Sequence, residues 1–197
     1  MSVTFRLAIP DDAEQIATIY APYCLTPISF ETAPPSIEEI RKRIIKVGEH
    51  YPWLVCEIHG KIRGYVYATA HRERAAYRWS VDVSAYVHSQ HHRLGLGRAL
   101  YTSLFRILVL QGYVNAYAGV TLPNRASVGL HEAMGFQPVG VYQQVGYKYG
   151  VWHDVGWFQL MLQPRPAQPR SPLSIREVQT SAEWSTAVNA GLELVRA

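Results

Sequence analysis

The sequence predicts a single α/β domain. Three observations carry that reading. Segments with period-two alternation and segments with helical spacing follow one another along most of the chain. Hydrophobic residues make up 48% and charged residues 17% of the chain, which supports a packed core and excludes a disordered polymer. A length of 197 residues suits one domain with a short appendage.

Val3–Ile9 reads as an edge strand, because Val3, Phe5 and Leu7 alternate with polar neighbours. Pro10-Asp11-Asp12 opens a helix with acids in its first turn, and Ala13, Ile16, Ile19 and Tyr20 follow at helical spacing. Thr26–Pro35 carries Pro27, Pro34 and Pro35 and is a loop. Ser36-Ile37-Glu38-Glu39 has the spacing of a capping box for a helix through Ile40, Ile44 and Val47. Trp53–His59 and Ile62–Ala70 flank a hairpin turn at His59-Gly60-Lys61. Tyr77–Val87 is a long strand, with Trp79, Val81, Val83, Ala85 and Val87 on one face and Ser80, Asp82, Ser84 and Tyr86 on the other.

A glycine-bearing loop leads into a helix from Gly95 to Gln111, whose Leu100, Leu104, Ile107 and Leu108 form an apolar stripe. Val114–Val120 is a strand, Asn124–Met134 a shorter helix ended by Gly135, and Gln137–Tyr147 and Val151–Leu162 are the last strands. Residues 1–163 form the domain. Residues 164–197 begin as a linker interrupted by Pro164, Pro166, Pro169 and Pro172. Thr180–Val195 then has the pattern of a short helix, with Thr180 and Glu183 spaced as a capping box.

Composition excludes several classes of function. No run approaches the ~20 apolar residues of a membrane span, and the first residues lack the features of a signal peptide. Cys24 and Cys56 are too few for a disulfide scaffold and form no CxxC pair. These features describe a cytoplasmic protein without a membrane or metal partner. The net charge is +4, and its cations form two small clusters, Arg72/Arg74/Arg78 and Arg93/Arg98, rather than the long basic stripe of a nucleic-acid binder. Such clusters fit a small anionic ligand at least as well as a nucleic acid, and composition alone does not choose between them.

The most informative segment is Val87-His88-Ser89-Gln90-His91-His92-Arg93-Leu94-Gly95-Leu96-Gly97-Arg98. Here a strand passes through a loop into a helix with glycines in its first turn, where free N–H groups and the helix dipole favour an anion. Gly95 and Gly97 remove side chains that would keep a phosphate off the backbone, and Arg93 and Arg98 add charge. A Walker A loop would need Lys-Ser/Thr where Arg98-Ala99 stand. A dinucleotide fingerprint would need a third glycine where Leu100 stands, and an acid about twenty residues later. His88 and His92 are four apart, but Gly95 makes their stretch a loop and no Glu completes a metal-binding helix.

His92-Arg93-Leu94-Gly95-Leu96-Gly97 resembles the pyrophosphate loop, Gln/Arg-x-x-Gly-x-Gly/Ala, of the GCN5-related N-acetyltransferases (GNAT), with His92 where the family prefers Gln or Arg. Asn124-x-x-Ser127 resembles the family's second acetyl-CoA contact. Tyr51-Pro52-Trp53-Leu54-Val55, Ala76-Tyr77-Arg78-Trp79, Leu122-Pro123-Asn124, His131-Glu132-Ala133-Met134-Gly135-Phe136 and Trp152-His153-Asp154-Val155-Gly156 are similar to segments of its phosphinothricin acetyltransferase branch. The likeness spans residues 3–162. It implies a mixed, mostly antiparallel sheet flanked by helices, acetyl-CoA as donor, a small-molecule amine as acceptor, and a homodimer with contacts from Trp152–Trp157 and the tail. It also implies cofactor contacts at Ala85, Tyr86, Val87, Arg93, Leu94, Gly95, Leu96, Gly97, Arg98, Asn124 and Ser127.

An amine attacks a thioester only as the free base, yet an alkyl amine is mostly ammonium near neutral pH. The site must take up a proton, stabilise an oxyanion and reprotonate a thiolate. Asp82, mid-strand among apolar neighbours, is the first candidate base, against the plainer alternative of an ion pair with Arg78. In the phosphinothricin branch a Glu resembles this position; Asp is one methylene shorter, which implies transfer through a water. His131 is the candidate acid or second base, with a satisfied core histidine as its alternative. The resemblance implies an oxyanion contact from a backbone N–H near Val87, where the family splays two strands. Arg72 and Arg74 are two apart, on one side of an extended segment, and suit a carboxylate or phosphinate. Phe30 and Tyr77 resemble pocket walls. The expected acceptor is a small amino acid with an acidic head, of the shape of phosphinothricin, arsinothricin or methionine sulfoximine. A polyamine, a peptide N-terminus, or ligand binding without catalysis are the alternatives. His153-Asp154, adjacent on a strand, point to opposite faces and suit a structural role.

Overall fold

The structure, a computed structural model, describes residues 2–196. Its strands are β1 (Val3–Leu7), β2 (Trp53–Ile58), β3 (Lys61–Ala70), β4 (Ser80–Val87), β5 (Asn115–Leu122), β6 (Gln137–Lys148) and β7 (Val151–Met161). They form one seven-stranded sheet in the order β1-β2-β3-β4-β5-β7-β6. Neighbours are antiparallel except β4 and β5, which run parallel. The helices are α1 (Ala13–Cys24), α2 (Ile37–Gly48), α3 (Leu96–Gln111), α4 (Arg125–Ala133), α5 (Ile175–Gln179) and α6 (Trp184–Asn189). No helix among the described residues is long and apolar enough to cross a membrane.

Layering follows from alternation on β2, which is buried on both faces. Trp53 and Val55 pack with Ile16, Ile19 and Tyr20 of α1 and Ile40 and Ile44 of α2. Leu54 and Cys56 face the other way, onto Leu96, Leu100, Leu104 and Ile107 of α3. The β2–β3 turn is tight because His59 (φ 53°) and Gly60 (φ 72°) both adopt left-handed backbone.

The feature that positions the site is where pairing stops. β4 and β5 are paired only from Ser80–Asp82 against Asn115–Tyr117. β4 runs on to Val87 and β5 to Leu122, so the strands diverge beyond Asp82 and Tyr117. Backbone groups on the facing edges are left without a strand partner.

Three sequence expectations change. The strand expected from Tyr77 begins at Ser80, after a 3-10 turn over Ala75–Tyr77. The Trp79 indole N–H donates to the Arg170 carbonyl at 2.7 Å with the Arg78 guanidinium over its ring, while the Trp79 carbonyl accepts the Val114 and Asn115 N–H groups. At α2 the Ser36 hydroxyl accepts the Glu39 N–H at 3.2 Å, but the Glu39 carboxylate pairs with Arg43 instead of closing a box. In the tail the reciprocal box is Ser174 with Glu177, opening α5, while the Thr180 hydroxyl donates to the Glu177 carbonyl at that helix's end. The tail is docked: Ile175, Val178, Ala187 and Val188 join the core beneath α3.

Candidate active site

The loop from Val87 to α3 is bent by left-handed residues, Arg93 (φ 64°) and Gly95 (φ 82°), and Gly95 caps the helix. None of the backbone N–H groups from Arg93 to Arg98 has a hydrogen-bond acceptor among the described residues. They form an anion cradle at a helix N-terminus, with the exposed Arg93 and Arg98 at its edge. The glycines also serve packing. A Cβ on Gly97 would lie 3.1 Å from the Leu130 side chain of α4, and one on Gly95 would overlap the Leu194 carbonyl of the tail. The loop's entry is fixed by the Val87 carbonyl, which accepts from the Tyr23 hydroxyl at 2.6 Å and the His92 ring at 3.0 Å. Burial raises the Tyr23 pKa, which keeps the phenol a donor. His92 thus has a role of its own at the position where Gln or Arg was expected.

Between the diverging strands lies a crevice of about 70 Å³, lined by Ala85, Tyr86, Asn124, Ser127 and His131 among others. The His88 N–H is on the β3 side, 2.8 Å from the Arg63 carbonyl, so alternation turns the Ala85 and Val87 N–H groups to the open side. The Val87 N–H lies 3.4 Å from the Tyr23 hydroxyl. Asn124 caps α4 by accepting the Ser127 N–H at 3.1 Å. Of the expected donor contacts, Ala85, Tyr86, Asn124 and Ser127 line this one crevice, while Arg93–Arg98 stand at the start of α3.

His131 is buried at 5% exposure, and both its ring nitrogens are engaged. Nδ1 donates to the Ser127 carbonyl at 2.8 Å, and Nε2 lies 3.2 Å from the Tyr101 hydroxyl. Burial lowers its pKa below 6.5, so the ring is neutral near pH 7. The ring is thus both hydrogen-bonded and seated in the crevice wall.

Asp82 pairs with neither Arg78 nor any other arginine. Its Oδ1 lies 2.6 Å from Nδ1 of His71, a residue that sequence reasoning did not single out. Burial, its largest influence, pushes the Asp82 carboxyl above its ordinary 3.8, while His71 and the charge of Arg72 pull it down. The His71 ring stacks on Tyr117 at 4.2 Å, and its Nε2 has no partner among the described residues. In the sequence Tyr65, Tyr67, Thr69 and His71 continue one period-two face, but the register that puts Thr69 opposite Asp82 is set by the sheet.

Arg72 packs over Trp157 at 5.7 Å and donates to the His71 carbonyl. The segment carrying it bends instead of extending, so Arg74 does not join it: Arg74 is exposed and makes no side-chain hydrogen bond among the described residues. Tyr77 lies edge-on to His71 at 6.1 Å. On one side of the His71–Asp82 pair is an aromatic-walled cavity of about 800 Å³, reaching from Tyr20 and Trp53 to His71 and Arg72. Across Tyr20 lies a second hollow of about 400 Å³ lined by Phe30, Tyr86, Gly119 and Thr121.

Phe30 is held from the hairpin opposite. A bulge between Tyr142 and Gly146 shifts the β6 register, with the Gln144 N–H bound to the Asp154 carboxylate at 2.7 Å and the His153 ring on the Lys148 carbonyl. The bulge brings Gly146 under the Phe30 ring, where a Cβ would overlap it. Gly146→Ala is expected to displace Phe30 and raise the acceptor KM about tenfold with the donor KM unchanged. Steady-state kinetics in both substrates check this; an acceptor KM within twofold of the parent would remove Phe30 from the acceptor wall.

A model described as an acetyltransferase (GNAT) domain matches residues 5–157. A phosphinothricin N-acetyltransferase of Streptomyces viridochromogenes is 39% identical over 172 residues, covering 85% of this chain and 94% of the relative. A methionine sulfoximine/methionine sulfone acetyltransferase of Salmonella typhimurium is 37% identical over 117 residues, covering 59% of this chain and 68% of the relative. Among solved structures, a phosphinothricin acetyltransferase from Sinorhizobium meliloti in complex with acetyl-CoA superposes with a TM-score of 0.80 at 30% identity, covering 89% of this chain and 100% of the other.

Proposed function

The chain belongs to the GNAT acetyltransferases, whose donor is acetyl-CoA, and on that premise we propose that it acetylates the α-amine of a small amino acid with an acidic head, of the phosphinothricin, arsinothricin or methionine sulfoximine shape. The observation that carries this reading is the His71–Asp82 pair at the point where β4 and β5 part, with Arg72 beside it.

When bound, acetyl-CoA supplies the thioester carbonyl that the amine attacks and the sulfur that leaves. The N–H groups of Arg93–Arg98 hold its pyrophosphate, and Asn124 and Ser127 line the crevice on the α4 side. Ala85 offers a free N–H to the charge that develops on the carbonyl oxygen, and the Val87 N–H joins it by giving up its 3.4 Å bond to the Tyr23 hydroxyl. The acceptor's ammonium proton goes to the His71–Asp82 pair, which acts as one base. The proton enters at Nε2, the open ring nitrogen, while Asp82 holds the ring through Nδ1 and balances its charge. The imidazole thus spans the methylene that Asp82 lacks relative to Glu, in place of the expected water. As the C–S bond breaks, the proton still on the acylated nitrogen passes to the thiolate, which leaves as CoA thiol, with His131 Nε2, bonded to the Tyr101 hydroxyl in the crevice wall, as the relay. Arg72 binds the acidic head, and Phe30 and Tyr77 supply apolar wall.

The experiment is release of CoA thiol from acetyl-CoA with phosphinothricin, arsinothricin, methionine sulfoximine, glutamate and spermidine as acceptors. Turnover on the acidic analogues, with KM raised about tenfold or more in Arg72→Ala, is expected. Turnover on spermidine alone would move the acceptor to the polyamines, and CoA binding without thiol release would make the chain a binding module.

We also propose a homodimer through the β6–β7 hairpin. That edge presents Val139, Val141, Tyr142, Val145, Tyr147 and Trp152, each about half exposed, as one apolar surface that a second copy would cover. Sedimentation velocity should give a dimer, reduced to monomer by Val141→Glu with Tyr147→Glu; a monomeric parent chain would contradict it.

A further inference from the structure

The tail beyond residue 157 lies outside the matched family domain, yet its last residues reach the anion cradle. Helix α6 buries Ala187 and Val188 beneath α3. The Gly191 N–H then donates to the fully buried Ser103 hydroxyl of α3 at 3.0 Å. A 3-10 turn over Leu192–Leu194 follows, and the Arg196 N–H donates to the Leu94 carbonyl at 2.9 Å. Close packing is reciprocal: a Cβ on Gly191 would overlap the Ala99 carbonyl of α3, and a Cβ on Gly95 would overlap the Leu194 carbonyl of the tail. Both surfaces are fitted backbone to backbone, at positions where glycine is required.

The partner of this contact is the cradle itself. Leu94 lies between Arg93 and Gly95, the two left-handed residues that bend the chain into α3. Arg93 holds that conformation without being glycine, which persists only where surrounding structure over-determines it. Unpaired N–H groups converging on one point also repel one another until an anion arrives. The tail holds the Leu94 carbonyl of this loop and fits its own Leu194 carbonyl against Gly95.

We propose that the segment Trp184–Arg196 is a positioning element for donor binding, holding Leu94 and Gly95 so that the N–H groups of Arg93–Arg98 are preset for the donor's pyrophosphate. This rests on assigning that loop to acetyl-CoA. Preorganisation lowers the cost of ordering the loop on binding, so its loss weakens affinity without touching the chemistry.

The test compares the full chain, a chain ended after Asn189, and Gly191→Ala, with two probes: CoA, and S-acetylpantetheine, which lacks the pyrophosphate. Calorimetry is expected to show CoA binding weakened about tenfold in both altered proteins. KM for S-acetylpantetheine, kcat, and the acceptor KM should stay within about twofold. If the shortened chain does not fold, Gly191→Ala and Ser103→Ala give the same comparison with the tail present but loosened. Unchanged CoA affinity in a folded variant, or equal losses with both probes, would overturn the proposal and leave the tail a stabilising element only. A full chain that binds CoA no better than pantetheine would instead overturn the assignment of the loop.

Discussion

Asp82→Asn and His71→Asn are each expected to lower kcat by about 10²–10⁴-fold, and the double variant by no more than the worse of the two. The side chains are in contact at 2.6 Å, and groups that act as one unit fail to add. His71→Asn is the informative member. Its amide can still donate to Asp82 from near the Nδ1 position, so the carboxylate keeps its partner, but nothing remains at Nε2 to receive a proton. Near-normal turnover in His71→Asn beside a dead Asp82→Asn would return the proton to the carboxylate alone. CoA binding by calorimetry should be the same in all three, because the cradle at Arg93–Arg98 shares no hydrogen bond with the pair.

Lys148→Met should be the most destabilising single change in the acceptor region. Lys148 is 6% exposed, and its ammonium donates to three carbonyls, of Cys24 (2.7 Å), Thr26 (2.8 Å) and Ser29 (2.7 Å). Cys24 ends α1, so the charge also meets the negative end of that helix. Methionine nearly matches the length but donates nothing, leaving the carbonyls unsatisfied where solvent reaches poorly. At about 1–3 kcal/mol for an unsatisfied buried group, the loss is about 3 kcal/mol or more. For a chain of this size that lowers Tm by about 6–12 °C. The acceptor KM should rise as well, because the clamped loop carries Phe30. A melting temperature within about 2 °C of the parent would show that water replaces the ammonium at no cost.

What the sequence reveals divides along a physical line. Locally encoded features are legible: the His59-Gly60 turn, the apolar stripe of α3, and the glycine at the start of that helix each follow from a few adjacent residues. Asp82 stands out because a carboxylate interrupts an apolar strand. Its partner does not, since His71 follows the end of β3 and meets Asp82 only through the β3–β4 register, a non-local quantity. Lys148 is illegible for the same reason: a lysine between Tyr147 and Tyr149 looks solvated until the α1 terminus and the following loop turn their carbonyls onto it. The tail shows a different limit. Ser174-x-x-Glu177 and Thr180-x-x-Glu183 have the same spacing, and the first alone caps a helix because Thr180 is the C-cap of α5 and the next helix starts only at Trp184, after Glu183. Arg72 and Arg74 were paired by spacing that presumes an extended chain, and the bend after His71 separates their surroundings.

The central claim, that the His71–Asp82 pair removes the acceptor's proton, is tested most directly by the pH dependence of kcat/KM for phosphinothricin in the parent chain and in Asp82→Asn, at saturating acetyl-CoA. The pair accepts a proton only when it holds none, so activity must rise with pH through the pair's own titration. Burial pushes the Asp82 carboxyl upward and the two side chains share one proton, so the limb belongs to the pair and not to an isolated carboxylate. The acceptor amine titrates identically with both proteins and cancels in the ratio of their profiles. The prediction is a ratio that changes with pH, the parent's low-pH limb being absent or displaced in Asp82→Asn; parallel profiles across the whole range would contradict it.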